Sequence, residues 1–166
     1  GYDVTQPVNG TKASVKGFEF NVQQGLEIID PALTGLLAGA NLSVLDTELT
    51  LAERNGEDFM LPAAAEESGN IFIGYENEQF STRLSATYRG EMLDEVGDDR
   101  DFDIYVASHT QVDLTASYRF SQQIELVAQL INLTDEPLEL YQGSKGYTLQ
   151  LEEYGPTFAF GLKGRF

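Results

Sequence analysis

Alternation of apolar and polar residues with a period of two runs through much of the chain. It is clearest in four segments. The mainly apolar positions of these segments are Phe80, Thr82, Leu84, Ala86 and Tyr88; Val112, Leu114, Ala116, Tyr118 and Phe120; Ile124, Leu126, Ala128 and Leu130; and Phe158, Phe160, Leu162, Gly164 and Phe166. This pattern predicts strands with one apolar and one mainly polar face. Three less regular segments, 13–24, 36–47 and 71–77, bring the predicted number of strands to seven.

The predicted connectors alternate between short and long. The short ones are 26–33, 76–79 and 121–122, and the long ones are 51–69, 92–108 and 135–150. Consecutive antiparallel strands would therefore have short turns at one end and long loops at the other. A transmembrane β-barrel sorts its connectors in this way, whereas a soluble sandwich has no physical reason to do so.

Charge follows the same division of the chain. The 166 residues include 27 Asp and Glu but only 10 Lys and Arg, for a formal net charge of -17, and the acidic residues concentrate in and beside the three long loops. Binding to a phosphate backbone needs clustered cations, so this composition excludes a nucleic-acid partner. The absence of cysteine excludes disulfides and thiolate metal sites.

Three further segments carry a resemblance to a known family. The first is 6–19, with Pro-Val-Asn-Gly followed by Ala13, Gly17 and Glu19; the second is the hairpin that ends in Asn132-Leu133-Thr134-Asp135; the third runs from Tyr154-Gly155-Pro156 to a terminal Phe166. In this order they resemble the C-terminal part of TonB-dependent outer-membrane receptors, although Pro156 stands where that family often has Arg.

The resemblance implies an all-β fold in which residues 1–166 form one segment, the last seven antiparallel strands of a 22-stranded up-and-down transmembrane β-barrel. The plug domain and the earlier barrel strands would be absent, and the first residues suggest a removed leader or a piece of a longer chain. The location implied is the bacterial outer membrane, with the long loops outside the cell. The function implied is uptake of a scarce nutrient such as a siderophore, cobalamin or an oligosaccharide.

The resemblance also implies partners. These are outer-membrane lipid, the TonB complex through the absent plug, and the barrel-assembly machinery through the last strand and Phe166, whose ring would alternatively only complete an aromatic girdle. We expect neither a cofactor nor an enzymatic activity, because one histidine and no cysteine leave no set of nucleophile, base and orienting group. The competing hypothesis is a soluble, acidic β-sandwich that binds carbohydrate with the help of Ca²⁺.

Seven residues are candidates for ligand binding at the loop end: Arg89, Asp99, Asp101, Asp103, Tyr105, His109 and Tyr141. Each has a structural alternative. Arg89 would meet an anionic ligand or pair across strands, and His109 would touch ligand or lie solvated at a strand end. The three aspartates would bind Ca²⁺ or form a solvated, mobile loop, and the tyrosines would stack on ligand or lie at the membrane interface. Arg119 is expected to pair with Glu125 across a tight turn.

Overall fold

A computed structural model describes residues 12–164. Twelve strands lie in this range: β1 Lys12–Gly25, β2 Leu36–Thr50, β3 Asp58–Phe59, β4 Glu67–Glu76, β5 Phe80–Arg89, β6 Met92–Glu95, β7 Ile104–Val106, β8 His109–Arg119, β9 Ile124–Ile131, β10 Leu138–Gln142, β11 Thr148–Glu152 and β12 Thr157–Gly164. Four short 3₁₀ turns, Leu26–Ile28, Pro31–Leu33, Ala52–Arg54 and Arg100–Phe102, complete the regular structure. No helix in this range is long and apolar enough to cross a membrane.

The seven long strands form one antiparallel sheet in the order β1-β2-β4-β5-β8-β9-β12, and the short β3 pairs with the C-terminal end of β2. Each strand pairs with the next long strand along the chain, which is an up-and-down arrangement. Connections 26–35, 77–79 and 120–123 lie at one end of this sheet, and the long connections 51–66, 90–108 and 132–156 lie at the other. The seven predicted strands correspond to the seven long strands, and the predicted sorting of connectors is confirmed, whereas the five short strands were not predicted.

Local side-chain hydrogen bonds form the short connections. Asn77 accepts the backbone N–H groups of Gln79 and Phe80 at 2.9 and 2.8 Å, and Ser121 accepts those of Gln123 and Ile124 at 3.2 Å each. Short polar side chains that replace backbone acceptors in this way favour tight turns. They set the register of the strands that follow.

The register aligns the apolar positions of all seven long strands on one face. Phe18 pairs with Val44, Ile73 with Leu84, and Leu84 in turn with Leu114; Leu114 is followed by Leu130 and Phe158 in the same row. Directly paired residues of an antiparallel sheet point to the same side, so these rows form a continuous band, which we call the apolar face.

Nothing within residues 12–164 covers the apolar face. Phe18 is 62% exposed, Ile71 63% and Phe160 80%. In the competing sandwich hypothesis these side chains would be buried under a second sheet. The second sheet that does form, in the order β11-β10-β7-β6, consists entirely of strands from the long connections and leaves the apolar face open.

The opposite face, which we call the polar face, carries the basic residues of β5, β8 and β12, whereas Lys12 and Lys16 of β1 lie by register on the side of Phe18, at the loop end of that strand. Arg83, Arg89, Arg119 and Lys163 all lie there by register, as expected, while Arg165 falls outside the described residues. The guanidinium of Arg83 lies 3.9 Å from the ring centroid of Phe72, which is on the same face. Arg119 and Glu125 are register partners, but Arg119 Nη1 donates to the carbonyl of Glu78 at 2.8 Å.

Candidate functional site

The tightest packing in residues 12–164 lies among the long connections. We call residues 51–66, 90–108 and 132–156 together the loop layer. Its fully buried side chains are Leu93, Asp103 and Asn132, each at most 1% exposed, whereas apolar residues of the strands remain open. The loop layer therefore has a small core of its own, built where the sequence predicts only loops.

A buried ion pair joins the first two long connections. Arg54, from the 3₁₀ turn at 52–54, donates to both carboxylate oxygens of Asp103, at 2.8 and 3.3 Å. Its guanidinium also donates to the Gly97 carbonyl at 2.7 Å and to Glu57 at 3.0 Å, and it lies 4.6 Å from the centre of the Phe59 ring. The hydrogen bond to Asp103 raises the pKa of Arg54 despite the opposing effect of burial.

The third connection joins the same point through the backbone of Asp103. The Gly143 N–H donates to the Asp103 carbonyl at 2.8 Å, and the Gln142 side chain donates to the Phe102 carbonyl at 3.4 Å. Gly143 has a φ of +63°, and a Cβ there would meet the backbone of Asp101. Asp103 is thus the residue at which all three long connections meet.

Arg89 and His109 anchor the loop layer to the strand ends. They are register partners on the polar face of β5 and β8. Arg89 donates to the carbonyls of Gly90 and Ala107 at 3.1 and 3.0 Å, and His109 Nδ1 lies 3.3 Å from the Pro137 carbonyl oxygen. Both side chains are partly buried, so in this structure they hold the second and third connections against the sheet.

Asn132 performs a similar role where β9 ends. Its side chain accepts the Glu136 N–H at 2.9 Å and donates to the Glu136 carbonyl at 3.0 Å. Its own N–H donates to Asp113 on β8 at 2.9 Å. With a φ of +56°, Asn132 occupies the left-handed region that asparagine tolerates better than most residues.

Tyr105 and Tyr141 stack on each other with ring centroids 5.3 Å apart, across the pairing of β7 with β10. Tyr141 is buried and Tyr105 is partly buried. Burial raises the pKa of both hydroxyls, and a hydrogen bond to the carboxylate of Glu91 raises that of Tyr141 further. Lys145 also approaches Glu91, at 3.1 Å. The two rings form an inner support of the loop layer.

Asp99 and Asp101 remain at the surface. Asp99 accepts the Asp101 N–H at 2.9 Å and so begins the 3₁₀ turn at 100–102. Asp101 lines a cleft of about 330 Å³ together with Gln142, Gly143, Ser144 and Tyr147. This cleft offers a carboxylate, an amide, a hydroxyl and a largely exposed aromatic ring, which suits a polar ligand that also stacks.

The structure thus brings Asp103, Tyr105 and Tyr141 into the core of the loop layer and places Arg89 with His109 beneath it. Asp99 and Asp101 lie on its rim. Among residues 12–164, no group of three or more His, Cys, Asp or Glu side chains is arranged to hold a metal ion. The loop layer carries sixteen acidic and three basic residues, so it accounts for most of the net negative charge of the chain.

Sequence reasoning missed Arg54, Gln142, Ser144 and the five short strands. Alternation in 138–142 and 148–152 is a signal that could have indicated β10 and β11. Arg54 is the single cation of the first long connection, and an isolated cation among carboxylates is a candidate for a buried pair.

Comparison with known proteins gives two matches. A family model described as "TonB dependent receptor-like, beta-barrel" matches residues 1–133. The vitamin B12 transporter BtuB of Photobacterium profundum is 27% identical over 138 residues, which cover 82% of this chain and 21% of that protein. The chain therefore spans about a fifth of the length of this curated relative. No solved structure matches.

Proposed function

The chain belongs to the TonB-dependent receptor-like β-barrel family, and from this premise we propose that it supplies barrel wall and outer loops to a receptor for nutrient uptake. Proteins of this family lie in the outer membrane of Gram-negative bacteria and act as receptors and transporters. The proposal gives the two faces of the sheet different surroundings. The apolar face contacts lipid, and the polar face lines the interior.

The observation that carries this proposal is the open apolar face. Rings and aliphatic side chains of seven strands align in rows and stay exposed, while Arg83 and Lys163 fall on the opposite side. Charged residues that share the apolar side, such as Lys16 and Asp46, lie at the loop end of β1 and β2. A water-soluble chain rarely exposes so large an apolar area. At mid-depth in a bilayer, Arg or Lys on the lipid side costs about 2–4 kcal/mol, which accounts for their placement.

The sorted connectors support an orientation. Transmembrane barrels of this type have short turns on the periplasmic side and long loops outside the cell. We therefore place the loop layer at the cell surface and the turns at 77–79 and 120–123 inside. The count of 22 strands, the assignment of residues 1–166 to one C-terminal segment, and contact with TonB through a plug domain belong to the same proposal.

Assembly would use the last strand. Phe158, Phe160 and Leu162 alternate along β12, which is an edge of the sheet, and an open edge is the surface that strand addition recognises. The terminal Phe166, proposed to be read by the barrel-assembly machinery, lies outside the described residues.

For the ligand we propose a scarce nutrient of the siderophore, cobalamin or oligosaccharide class. Cobalamin is the first to test, because the relative is a vitamin B12 transporter. Direct contact falls to the exposed rim, Asp99 and Asp101, together with Tyr147 in the cleft. Arg89, Asp103, Tyr105, His109 and Tyr141 serve the ligand by fixing the position of the loop layer beneath the rim.

The test uses a strain that lacks this receptor and carries the full receptor gene on a plasmid. Growth is measured with cobalamin, a ferric chelate or an oligosaccharide as the limiting nutrient, and uptake of the labelled nutrient is then measured for Asp101→Asn and Tyr147→Ala. Each change removes one contact worth about 1–1.5 kcal/mol, so the concentration for half-maximal uptake should rise about tenfold.

Tyr154→Ala is the matched control, because Tyr154 is also an exposed tyrosine of the loop layer but does not line the cleft. Its uptake should equal that of the wild type. Growth that depends on none of the nutrients, together with a receptor that stays soluble without detergent, would refute the proposed function. Uptake that depends on the receptor but is unchanged by both cleft substitutions would refute only the ligand contacts.

A further inference from the structure

The apolar face contains a groove that the strand register produces. One row across β5, β8 and β9 consists of small side chains, namely Thr82, Ala116 and Ala128. The rows on either side consist of large ones: Leu84, Leu114 and Leu130 in one, and Phe80, Tyr118 and Leu126 in the other. Neighbouring rows on one face are about 7 Å apart, because residues i and i+2 share a face. The small row is therefore the floor of a depression between two ridges.

Aromatic rings close this groove on the side of the short turns and at its end on β12. Phe80 and Tyr118 form one wall, and Phe160, the register partner of Ala128, forms the end. The groove is an open depression with a volume of about 310 Å³, and its lining is almost wholly apolar. The groove offers a polar nutrient very little polar surface, so it is a different kind of site from the cleft of the loop layer.

We propose that this groove is a binding site for one acyl chain of an outer-membrane phospholipid. The groove is continuous with the face that we assign to the bilayer, so the occupant that meets it is hydrocarbon, and the inference rests on that assignment. Rings and leucine side chains form the walls and small side chains form the floor, and together they hold a linear chain by contact area alone. A chain seated between Phe80 and Phe160 exchanges more slowly than lipid elsewhere on the apolar face.

A single-tryptophan experiment tests this site: these 166 residues contain no tryptophan, and any tryptophan in the rest of the full receptor is first replaced by phenylalanine. Phe160→Trp, the groove reporter, places a fluorescent ring at the groove, and Phe18→Trp, the distant reporter, places one on β1, on the same face but away from the groove. Each variant of the full receptor is reconstituted into phosphatidylethanolamine vesicles with rising fractions of acyl-brominated phosphatidylethanolamine, and quenching is recorded. We expect half-maximal quenching of the groove reporter at a brominated fraction at least threefold lower than that for the distant reporter.

Filling the groove supplies the second measurement. Ala128→Leu in the Phe160→Trp background should raise the half-quenching fraction to that of the Phe18→Trp protein, while Ala40→Leu should leave it unchanged. Ala40 is the matched control because it is an alanine of the same face, on β2, outside the groove. Circular dichroism verifies that both leucine variants keep the same strand content.

The outcomes separate the groove from the proposed function. Equal quenching curves for the two reporters, or no effect of Ala128→Leu, would overturn the acyl-chain site while leaving the face in the bilayer. Quenching of the distant reporter without quenching of the groove reporter would show that protein rather than lipid fills the groove, which also overturns it. Failure of both reporters to respond would show that the face is not in the bilayer, and the proposed function would then fail.

Discussion

Replacing Arg54 with methionine removes the guanidinium that joins the long connections of the loop layer. The side chain of Arg54 is 6% exposed and that of Asp103 is 1% exposed, so solvent screens their interaction little. Arg54→Met keeps a side chain of similar length but leaves a buried carboxylate without its cation. Breaking a buried pair by removing one partner costs about 3–5 kcal/mol, because the remaining charge is uncompensated.

The loss of stability should appear as local opening of the loop layer, because no residue of the seven long strands belongs to the Arg54–Asp103 ion pair. Since about 1.4 kcal/mol corresponds to a factor of ten, amide hydrogen exchange in 51–66 and 90–108 should accelerate by about 10²–10³. Exchange in 132–156 should accelerate with it, because the Gly143 N–H is bonded to the Asp103 carbonyl. Exchange in β4 and β5 should not change.

Two variants make this experiment specific. Arg100→Met removes a cation that is 70% exposed and 3.5 Å from Glu57, so it should cost at most about 1 kcal/mol. Arg54→Met combined with Asp103→Asn removes the stranded charge while keeping an acceptor for the Gly97 N–H, and should recover part of the loss. Faster exchange in 51–66 with unchanged exchange in 132–156 would refute the idea that Asp103 joins three connections.

Two further predictions concern other parts of the loop layer. Asn132→Ala should lower the free energy of unfolding in urea by about 1–3 kcal/mol, because the Glu136 N–H loses its acceptor. Asn132→Gly should lower this free energy by less, because glycine suits the positive φ at this position. Equal losses for the two variants would argue against a contribution from backbone strain. The folded-state pKa of Tyr141 is raised, so its contribution to stability is present below its unfolded pKa of about 10 and is lost as the pH rises further through the folded value. The stability of the loop layer is measured by hydrogen exchange at pH 9 and by limited proteolysis up to pH 12. With rising pH it should fall less steeply in Tyr141→Phe than in the wild type. Parallel curves for the two proteins would refute Tyr141 as the origin of the alkaline loss of stability.

The number of long strands, their faces and the ends at which the connectors lie could all be predicted from the chain alone. Leu114, Ala116 and Tyr118 show the reason. Successive side chains of a strand point to opposite faces, so a strand with one apolar face has apolar residues at every second position of its sequence. The same alternation predicts that Arg83 and Lys163 lie on the polar face, and the strand pairing confirms it. Turn residues such as Asn77 add the register, since they set how each hairpin closes.

The loop layer required the tertiary structure. Arg54 and Asp103 lie 49 residues apart, and nothing local distinguishes Asp103 from its exposed neighbour Asp101. Arg119 makes the same point on a smaller scale, because its guanidinium binds the carbonyl of an adjacent turn rather than the glutamate opposite. Periodicity determines which side of a strand is apolar, but a contact between distant connections depends on where the sheet brings their ends, and that is decided only when the whole chain folds.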